Sequence, residues 1–319
     1  MSDKCSLKFL ETIKNQARDL KVQKVLATIS GGADSIALTY ALKKTGIVVH
    51  ALHCDFHLRG DESERDRIFV EEFCKTYEIP LSVKHFDVNA HLNGNNKRDS
   101  IEMACRKLRY EWFNKKLNET EYDRLATGHN ADDNIETFFL NLLRGSGTRG
   151  LKGMRIDNGF IWRPLLNFHR KDILKFLEEN SLHYIIDSTN LKNDFRRNFL
   201  RNEVIPLFKS EWKGFDKAMD TSLAYLQDEN NIIENAINLT LPHNNNPLTI
   251  DKILNFPAPK LLIKRYIDIL QPYTTTAQEV LDAIKANKPH IRKWNLRLGS
   301  IILRNGKLFI KMIHRESRS

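Results

Sequence analysis

The sequence predicts an α/β fold, in which a parallel β-sheet has helices on both faces and a smaller, mainly helical C-terminal region ends in a β-hairpin. Three observations predict it. Short β-branched apolar runs alternate with segments of helical periodicity up to about residue 180. A glycine-rich turn joins the first run to the next helix, and Asn305-Gly306 separates two apolar runs near the end. Such alternation is typical of right-handed βαβ units, and Asn-Gly is a strong hairpin signal.

The alternation predicts each element of the first part in order. Apolar runs predict the strands, and apolar residues spaced three and four apart predict the helices between them. Strands are expected at 24–29, 47–53, 81–86, 124–127 and 160–163, with a loop at 93–98. Helices are expected at 4–20, 36–44, 61–77, 101–117, 132–144, 170–180 and 194–205, the last one ended by Pro206.

The second part gives weaker signals. We place a domain boundary at about residue 215, so that residues 1–215 form the catalytic domain and residues 216–319 a basic C-terminal domain. The second domain is expected to contain a helix at 215–237, a loop at 241–247, a helix opened by the capping-box pattern of Thr276 to Glu279, and hairpin strands at 301–304 and 307–312.

Composition restricts the class of protein. The 319 residues are 41% apolar and 28% charged, which suits a globular protein of about two domains and excludes disordered and collagen-like chains. No apolar run is long enough to span a bilayer, and the N-terminus lacks the apolar core of a signal peptide. The four cysteines form no Cys-x-x-Cys pair. We therefore expect no membrane association and a cytoplasmic location.

Charge is distributed unevenly along the chain. Residues 1–140 carry a net charge of −1, residues 141–216 carry +5 and residues 217–319 carry +6. A near-neutral first part suits an enzyme core, whereas the basic remainder suits a polyanion such as RNA. A solubilising surface charge is the alternative reading.

The first motif lies between the first strand and its helix. Two glycines there let several backbone N–H groups point at one anion, and the helix adds its positive end. No lysine follows, so the loop differs from the one used by γ-phosphate transferases. The residues of this candidate anion site are Ser30, Gly31, Gly32, Ala33, Asp34 and Ser35. A plain strand-to-helix turn is the alternative.

The second motif follows the fourth strand. Gly128 and His129 end the strand, and Asp132, Asp133 and Glu136 open the next helix with spacings that place them on neighbouring faces. Clustered carboxylates in a nucleotide site can bind magnesium, hold an ammonium group or act as a base. An acidic first turn that complements the helix dipole is the alternative, but it does not account for Glu136.

Arginines recur at spacings that suit phosphate or RNA. Arg106 and Arg109 share one helix face, where paired guanidinium groups can clamp phosphate oxygens. The other candidates are Arg144 and Arg149 in a glycine-rich loop and Arg197 and Arg201 on a basic helix. Solvated surface charge and a flexible linker are the alternatives. The aromatic residues of the basic helix, Phe195 and Phe199, are predicted to be core residues.

In this order the motifs resemble one family, the tRNA(Ile)-lysidine synthetases of the ATP pyrophosphatase (PP-loop) superfamily. The resemblance covers roughly residues 24–207. Beside the two motifs above, it rests on five further segments. These are the strand end from His53 to Leu58-Arg59, Glu102-x-x-x-Arg106-x-x-Arg109-Tyr110, Leu142-x-Arg144-Gly145-Ser146-Gly147, Arg163-Pro164-Leu165-Leu166, and Asp187-x-x-Asn190 followed by Arg197-Asn198-x-x-Arg201. It implies a Rossmann-like, adenine nucleotide alpha-hydrolase-like fold.

The resemblance also implies a reaction. Such enzymes use ATP to adenylate the wobble cytidine of a tRNA(Ile) with a CAU anticodon, and then join free L-lysine to C2, releasing AMP. By position, the residues from Ser30 to Ser35 would hold pyrophosphate, with Asp34 on Mg²⁺, and Gly128 and His129 would contact ATP. Arg106 or Arg109 would stabilise adenylation, and Asp132, Asp133 and Glu136 would bind lysine. Arg144, Arg149, Arg197 and Arg201 would face the tRNA or close the site. A homodimer is compatible with the resemblance.

Three other functions compete with this interpretation. A tRNA thiolase of the same superfamily would need a reactive thiol, but Cys54 and Cys105 are isolated in the sequence. A small-molecule amidating ligase would need an ammonia source and would not explain the basic C-terminal half. A non-catalytic RNA-binding protein would not need Asp34 together with the three carboxylates of the second motif.

Overall fold

The computed structural model describes residues 3–93, 100–186, 196–242, 246–271, 275–286 and 291–312. Most of the predicted loop at 93–98, the segment from Asp187 to Asn190, and Phe195 lie outside these residues. The chain divides into two compact units, Met1–Leu226 and Gln227–Ser319. None of the helices in the described part has both the length and the apolar character needed to cross a bilayer.

The first unit alternates strands and helices in the predicted order. Its strands are β1 (Lys24–Thr28), β2 (Val48–Asp55), β3 (Leu81–His85), β4 (Arg124–Ala126) and β5 (Ile161–Trp162). Its helices are α1 (Asp3–Asp19), α2 (Ala33–Lys44), α3 (Asp61–Thr76), α4 (Val88–Asn93), α5 (Ile101–Asn118), α6 (Ala131–Leu143), α7 (Thr148–Leu151), α8 (Arg170–Glu179), α9 (Arg196–Phe199) and α10 (Ile205–Glu211). Helix α11 (Phe215–Thr240) begins in the first unit and ends in the second.

The five strands form one parallel sheet in the order β3-β2-β1-β4-β5. The chain moves outward from β1 to β3 and then returns to the other side of β1 with β4. The strand order therefore reverses between β1 and β4. In open α/β sheets, ligands bind at the carboxyl ends of the strands at such a point. The loops after β1 and β4 are consequently the loops that the topology brings together.

Helices cover both faces of this sheet, as predicted. Along β1 the side chains alternate: Val25 and Ala27 belong to one buried cluster, which includes residues of α1, α2, α3 and α8. Leu26 belongs to a second cluster with Phe113 of α5. Both clusters are buried, so the middle of β1, from Val25 to Ala27, is apolar on both faces, which is the pattern of a central parallel strand.

The predicted helix end at Pro206 is wrong. Helix α9, a π-type turn at Leu200–Val204 and α10 follow one another directly, and α10 continues to Glu211. Pro206 lies in the first turn of α10. A backbone N–H in a first turn has no acceptor within the helix, so the N–H that proline lacks costs little there. The wider turn before it provides the local adjustment, so proline is accommodated rather than ending the segment.

The second unit contains helices and one antiparallel sheet. Its helices are α12 (Ile250–Leu254), α13 (Pro259–Ile267) and α14 (Thr276–Lys285), and its strands are β6 (Leu248–Thr249), β7 (Arg292–Leu296), β8 (Gly299–Arg304) and β9 (Lys307–Met312). The sheet order is β6-β9-β8-β7. The predicted hairpin is β8-β9, with positive φ at Asn305 (48°) and Gly306 (69°), as a tight two-residue turn requires.

Two details of this unit differ from the prediction. Strands β6 and β7 extend the hairpin into a four-stranded sheet, and β7 was not recognised because Arg292 to Leu296 is largely polar. Helix α14 begins where expected, but its N-cap is Thr275, which makes no capping side-chain hydrogen bond. The capping-box assignment at Thr276 was therefore wrong, although the helix it indicated is present.

Candidate active site

The turn after β1 is fixed by its own serines and glycines. Ser35 Oγ accepts a hydrogen bond from the Ser30 N–H (3.1 Å) and donates one to the Gly32 carbonyl (2.9 Å). Gly31 has φ +87°, and a Cβ there would lie 2.8 Å from Ile185 Cδ1, so the position requires glycine. The turn leads directly into α2, whose first N–H groups have no partner within the helix. It has the form of an anion-binding loop.

The turns after β1 and β4 touch each other. A Cβ on Gly128 would lie 3.2 Å from the carbonyl carbon of Asp34 and 3.3 Å from the nitrogen of Ser35. Glycine at 128 is therefore what lets the two backbones approach. Both sequence motifs contribute to a single site at the reversal of strand order.

A capping box starts α6 at this site. The Asp133 N–H donates to Asn130 Oδ1 (2.9 Å), and the Asn130 N–H donates to Asp133 Oδ2 (3.1 Å). Asp133 thus stabilises the helix start with Oδ2, so that its Oδ1 can accept hydrogen bonds from other groups. Its neighbour Asp132 is directed to a different set of partners.

Four charged side chains form a compact cluster beside this cap. Glu136 is 1% exposed and accepts hydrogen bonds from Arg197 Nε and Arg201 Nε, each at 2.6 Å. Asp133 Oδ1 accepts from Arg197 Nη2 (2.9 Å) and Arg201 Nη2 (2.8 Å). Each arginine therefore bridges both carboxylates. The sequence identified all four residues, but the structure places the two arginines against the acidic groups.

A second charged cluster surrounds Asp132. Asp132 Oδ1 accepts a hydrogen bond from Lys209 Nζ (2.7 Å), and Asp132 Oδ2 accepts one from the Arg170 N–H (2.7 Å). Lys209 Nζ also lies 2.9 Å from Asp216 Oδ1. Burial opposes ionisation of Asp132, but the nearby His169 and the hydrogen bond from Lys209 outweigh it and hold the pKa of Asp132 well below its usual range. Asp132 is consequently a carboxylate at neutral pH.

His169 is the least exposed cationic group of this second cluster. It is 8% exposed, with Nδ1 3.4 Å from Asp132 Oδ2 and Nε2 3.0 Å from Asp220 Oδ2. The nearby Asp132 carboxylate, opposed by burial and aided by Asp220, raises the pKa of His169 to about 9. The imidazole is therefore protonated at neutral pH and links α8 to α11.

Asp132, His169 and Asp216 lie close enough to share a metal ion. One observation opposes that use: the Lys209 ammonium already bridges Asp132 and Asp216. The group is better described as a network of ion pairs.

Asp34 has the properties of a magnesium ligand. Its Oδ2 accepts a hydrogen bond from Arg170 Nη1 (3.1 Å), whereas its Oδ1 is buried with no hydrogen-bond donor among the described residues. Burial raises the pKa of Asp34, although Arg170 counteracts it. A buried carboxylate oxygen without a donor is stabilised by a cation, and Mg²⁺ prefers such oxygens. The residues present therefore fit that ion.

His129 is a neutral group in this site. Its Nδ1 lies 2.8 Å from Thr127 Oγ1. Burial lowers the pKa of His129 to about 4, and the positive charges of Arg163, Arg197 and Arg106 act in the same direction. An uncharged imidazole can accept or donate a single hydrogen bond without adding charge beside a phosphate.

The side chains of Arg106 and Arg109 point to different places. The Arg106 guanidinium lies 5.1 Å from the ring centroid of Tyr110 and is close enough to His129 to affect its pKa. The Arg109 guanidinium lies 5.4 Å from the ring centroid of Phe56 and forms a hydrogen bond to Cys54. Both are exposed. The structure therefore brings Arg106, but not its neighbour, towards the second motif.

The glycine-rich loop after α6 lies away from the carboxylates. Arg144 caps the C-terminal end of α6 and is exposed, about 18 Å along the helix axis from Asp132. Arg149 is exposed on α7. The loop is held to α6, because Asn141 Nδ2 donates to the Gly150 carbonyl (2.8 Å).

The prediction of a core position for Phe199 is wrong. This side chain is 51% exposed on the short helix α9. Its neighbours Arg197 and Arg201 turn towards the site, and the chain geometry leaves Phe199 on the outer side.

The charged clusters border a pocket of about 340 Å³. Its volume is at the lower end of the range of about 300–1,000 Å³ found for small-molecule sites. Both signs of charge line it, which suits a zwitterion. The lining residues are Asn130, Asp132, Glu136, Arg170, Arg201, Ile205, Pro206 and Lys209.

Four residues of this site were not recognised in the sequence: His169, Arg170, Lys209 and Asp216. One signal was present. His169, Arg170 and Lys171 open α8 with positive charge, where the helix dipole favours acidic residues. Such a reversal is a reason to look for nearby carboxylates, which Asp34 and Asp132 provide.

Comparison with known proteins agrees with this geometry. Residues 2–208 match the PP-loop domain family. The tRNA(Ile)-lysidine synthase of Parabacteroides distasonis is 39% identical over 256 residues, which are 79% of this chain and 57% of that relative. The synthase of the same name from Chlorobaculum tepidum is 40% identical over 214 residues, which are 66% of this chain and 64% of that relative. The chain thus spans less than two thirds of the length of these relatives.

A solved structure shows the same fold. The U34-tRNA thiolase NcsA from Methanococcus maripaludis, determined with its [4Fe-4S] cluster, superposes with a TM-score of 0.56. The match covers 70% of this chain and 80% of that one at 19% identity. At this identity the likeness concerns architecture alone.

Proposed function

The chain belongs to the PP-loop family, and from that premise we propose that it is a ligase that makes lysidine. In this reaction ATP adenylates the wobble cytidine of a tRNA(Ile) with a CAU anticodon, and free L-lysine is then joined to C2 of that base. One observation carries the proposal: the anion-binding turn containing Asp34 and the carboxylate-rich start of α6 meet at Gly128. Adenylation and amine attack can then take place in one site.

The turn from Ser30 to Ser35 would bind the pyrophosphate part of ATP through its backbone N–H groups and serine hydroxyls. Asp34 would hold Mg²⁺ through its unpartnered Oδ1. The ion would supply positive charge against the phosphate oxygens. We place Gly128 and neutral His129 beside the nucleotide, since both lie on the adjoining turn.

Arginines would stabilise negative charge that develops at the α-phosphorus, where cytosine O2 forms a bond and pyrophosphate leaves. Arg106 suits this role because it lies on the His129 side of α5. Arg170 suits it as well, since its guanidinium already reaches Asp34. We assign Arg109 the supporting role of packing on Phe56.

The pocket beside α6 would take the lysine. We assign the substrate amine to Asp132, because its Oδ1 is held by the single ammonium of Lys209, whereas Asp133 and Glu136 are both bridged by the guanidinium groups of Arg197 and Arg201. In the second step the ε-amine attacks C2 of the base, and the bond to the AMP oxygen breaks. Holding both reactants at one place supplies much of the acceleration.

Outside the pocket, exposed basic residues suit the RNA backbone. Arg144 and Arg149 are exposed beyond the far end of α6, and residues 141–319 are strongly basic. We assign these two arginines the role of binding tRNA phosphates. Arg197 and Arg201 instead hold Asp133 and Glu136 inside the site. A homodimer and a cytoplasmic location remain predictions.

Sulfur transfer to an adenylated base is the competing reaction, and the thiols argue against it. Burial raises the pKa of Cys54 to about 12 and the pKa of Cys74 to about 12. Cys105 is buried and its pKa is raised as well. Sulfur chemistry needs a thiolate or a cluster of thiolates. These protonated thiols do not suit that role.

The test is incorporation of radiolabelled lysine into a bulk bacterial tRNA pool with ATP and Mg²⁺. We expect ATP-dependent label in tRNA with the wild-type chain and its loss with Asp34→Ala. Pyrophosphate release that depends on tRNA but leaves no label would show that the base is activated for another nucleophile. In that case sulfur transfer becomes the favoured reaction.

A further inference from the structure

A primary ammonium group already occupies the carboxylate that we assign to the substrate amine. Lys209 Nζ lies 2.7 Å from Asp132 Oδ1 and 2.9 Å from Asp216 Oδ1, and Lys209 lines the pocket. We propose that Lys209 is an internal competitor for this amine subsite: an incoming lysine displaces it from Asp132, and Asp216 retains it. The inference rests on the proposed function, since it assumes that the pocket takes an amino acid.

The two carboxylates that line the pocket are held in different ways. Glu136 is bound by the planar, forked guanidinium groups of Arg197 and Arg201, which fix its position. Asp132 is bound on one oxygen by the single ammonium of Lys209, which sits at the end of a flexible four-carbon stem. The Lys209 side chain is 33% exposed, so it has room to move. Asp132 is therefore the carboxylate whose protein partner an incoming ligand can displace.

Asp216 gives the displaced ammonium a second partner. It contacts Lys209 through Oδ1, while its Oδ2 lies 3.3 Å from Lys171 Nζ. Lys209 can thus rotate away from Asp132 without becoming an unpaired charge. Losing one of two ion pairs at a partly exposed position costs little, which makes the exchange reversible.

The exchange also provides selectivity. When one ammonium replaces another at Asp132, the charge paired with Asp132 Oδ1 stays the same. A ligand without a positive group at that point would leave Asp132 either bound to Lys209 or with its half-buried Oδ1 facing no cation, and separating a partly buried ion pair without replacement is costly. The subsite would therefore admit a primary ammonium and reject a neutral side chain of similar length.

The test is equilibrium binding of radiolabelled L-lysine to the full chain without tRNA. Removing the competitor in Lys209→Met should tighten lysine binding about five- to tenfold, because the binding-competent fraction of the site increases. Removing the alternative partner in Asp216→Asn should weaken it about threefold, since Lys209 then stays on Asp132. In the double variant the Asp216→Asn effect should vanish, which is the signature of coupling through Lys209.

Two further variants sharpen this test. Lys209→Arg should weaken lysine binding, because a guanidinium holds Asp132 with more than one donor. Lys175→Met removes an exposed lysine of α8 that pairs only loosely with Glu179 (3.9 Å), and it should leave binding unchanged. A melting curve for each variant shows that it is folded.

Specific outcomes overturn the inference. Weaker lysine binding by Lys209→Met would mean that Lys209 supports the bound ligand. If Asp216→Asn changed lysine affinity equally in the wild type and in Lys209→Met, the two residues would not be coupled and the proposed exchange would be wrong. Absence of lysine binding in every variant would remove the subsite itself. Lysine that binds as expected but is never transferred to tRNA would contradict the proposed function and leave the exchange standing.

Discussion

Arg201 binds Glu136 through two nitrogens, with Nε 2.6 Å from Oε1 and Nη2 3.0 Å from Oε2. The acidic residue is almost fully buried on α6, and the arginine belongs to the π-type turn between α9 and α10. Arg197 completes the arrangement from α9. This contact attaches the segment that lines the pocket to the helix that carries Asp132, Asp133 and Glu136.

Glu136→Gln should destabilise the chain markedly. The amide keeps the shape of the side chain but leaves two guanidinium groups facing a neutral partner. Breaking a buried ion pair costs about 3–5 kcal/mol, and partial exposure of the arginines reduces this to about 2–4 kcal/mol. Urea denaturation measures the loss in the free energy of unfolding.

The matched control is Glu178→Gln on the exposed side of α8, which should change the free energy of unfolding by less than about 0.5 kcal/mol. If Glu136→Gln were as stable as this control, the cluster would contribute nothing to the fold. Its role would then be confined to the chemistry of the site.

Stability should fall as pH rises from about 6.5 to about 9, through the titration of His169. The nearby carboxylates of Asp132 and Asp220 raise the pKa of His169 from 6.5 in the unfolded chain to about 9 when folded. A raised pKa means that the native state binds the proton more tightly. The stabilisation is therefore complete below pH 6.5, is lost above pH 9, and amounts to at most about 3 kcal/mol.

The measurement compares free energies of unfolding of the wild type and His169→Gln between pH 6 and 10. The difference between them should shrink across that interval. The control is His183→Gln, which alters an exposed histidine. Its free energy of unfolding should differ from that of the wild type by the same amount at every pH. A constant difference between wild type and His169→Gln would show that the imidazole does not titrate in this range.

The sequence was sufficient for features that depend on local pattern. The order of strands and helices, the glycine-rich turn at Gly31 and the hairpin at Asn305-Gly306 all follow from backbone preferences and periodicity within short segments. The grouping of Asp132, Asp133 and Glu136 was also predictable, because helical spacing alone places them on adjacent faces.

The pairing of these carboxylates could not be predicted in the same way. Arg197 and Glu136 are 61 residues apart in the sequence, and Lys209 and Asp132 are 77 apart. No local period connects such positions, and long-range contacts depend on how α9 and α10 pack on α6. The basic helix therefore suggested a surface for RNA, whereas two of its arginines are committed to ion pairs in the site.

Gly128→Ala should weaken ATP binding. The added Cβ would lie 3.2 Å from the Asp34 carbonyl carbon and 3.3 Å from the Ser35 nitrogen, so the backbone of the anion-binding turn must shift by a few tenths of an ångström. A shift of this size in groups that bind phosphate should reduce affinity about tenfold. Overpacking should also cost about 1 kcal/mol of stability.

Equilibrium binding of labelled ATP in the presence of Mg²⁺ measures this effect. Gly147→Ala is the control, because a Cβ there meets no atom within 4 Å, and its ATP affinity should equal that of the wild type. Wild-type affinity in Gly128→Ala would mean that the contact between the two turns does not shape the nucleotide site.

Replacing all four cysteines with alanine should preserve lysine transfer to tRNA. The thiols of Cys54, Cys74 and Cys105 have raised pKa values because they are buried, so almost none of each is present as thiolate at neutral pH. We expect incorporation of labelled lysine within about twofold of the wild type when assayed below the melting temperature. Loss of activity in a variant that still melts cooperatively would show that a thiol takes part in the reaction. Transfer of ³⁵S from labelled cysteine to tRNA by the wild type would then establish sulfur delivery in place of amine attack.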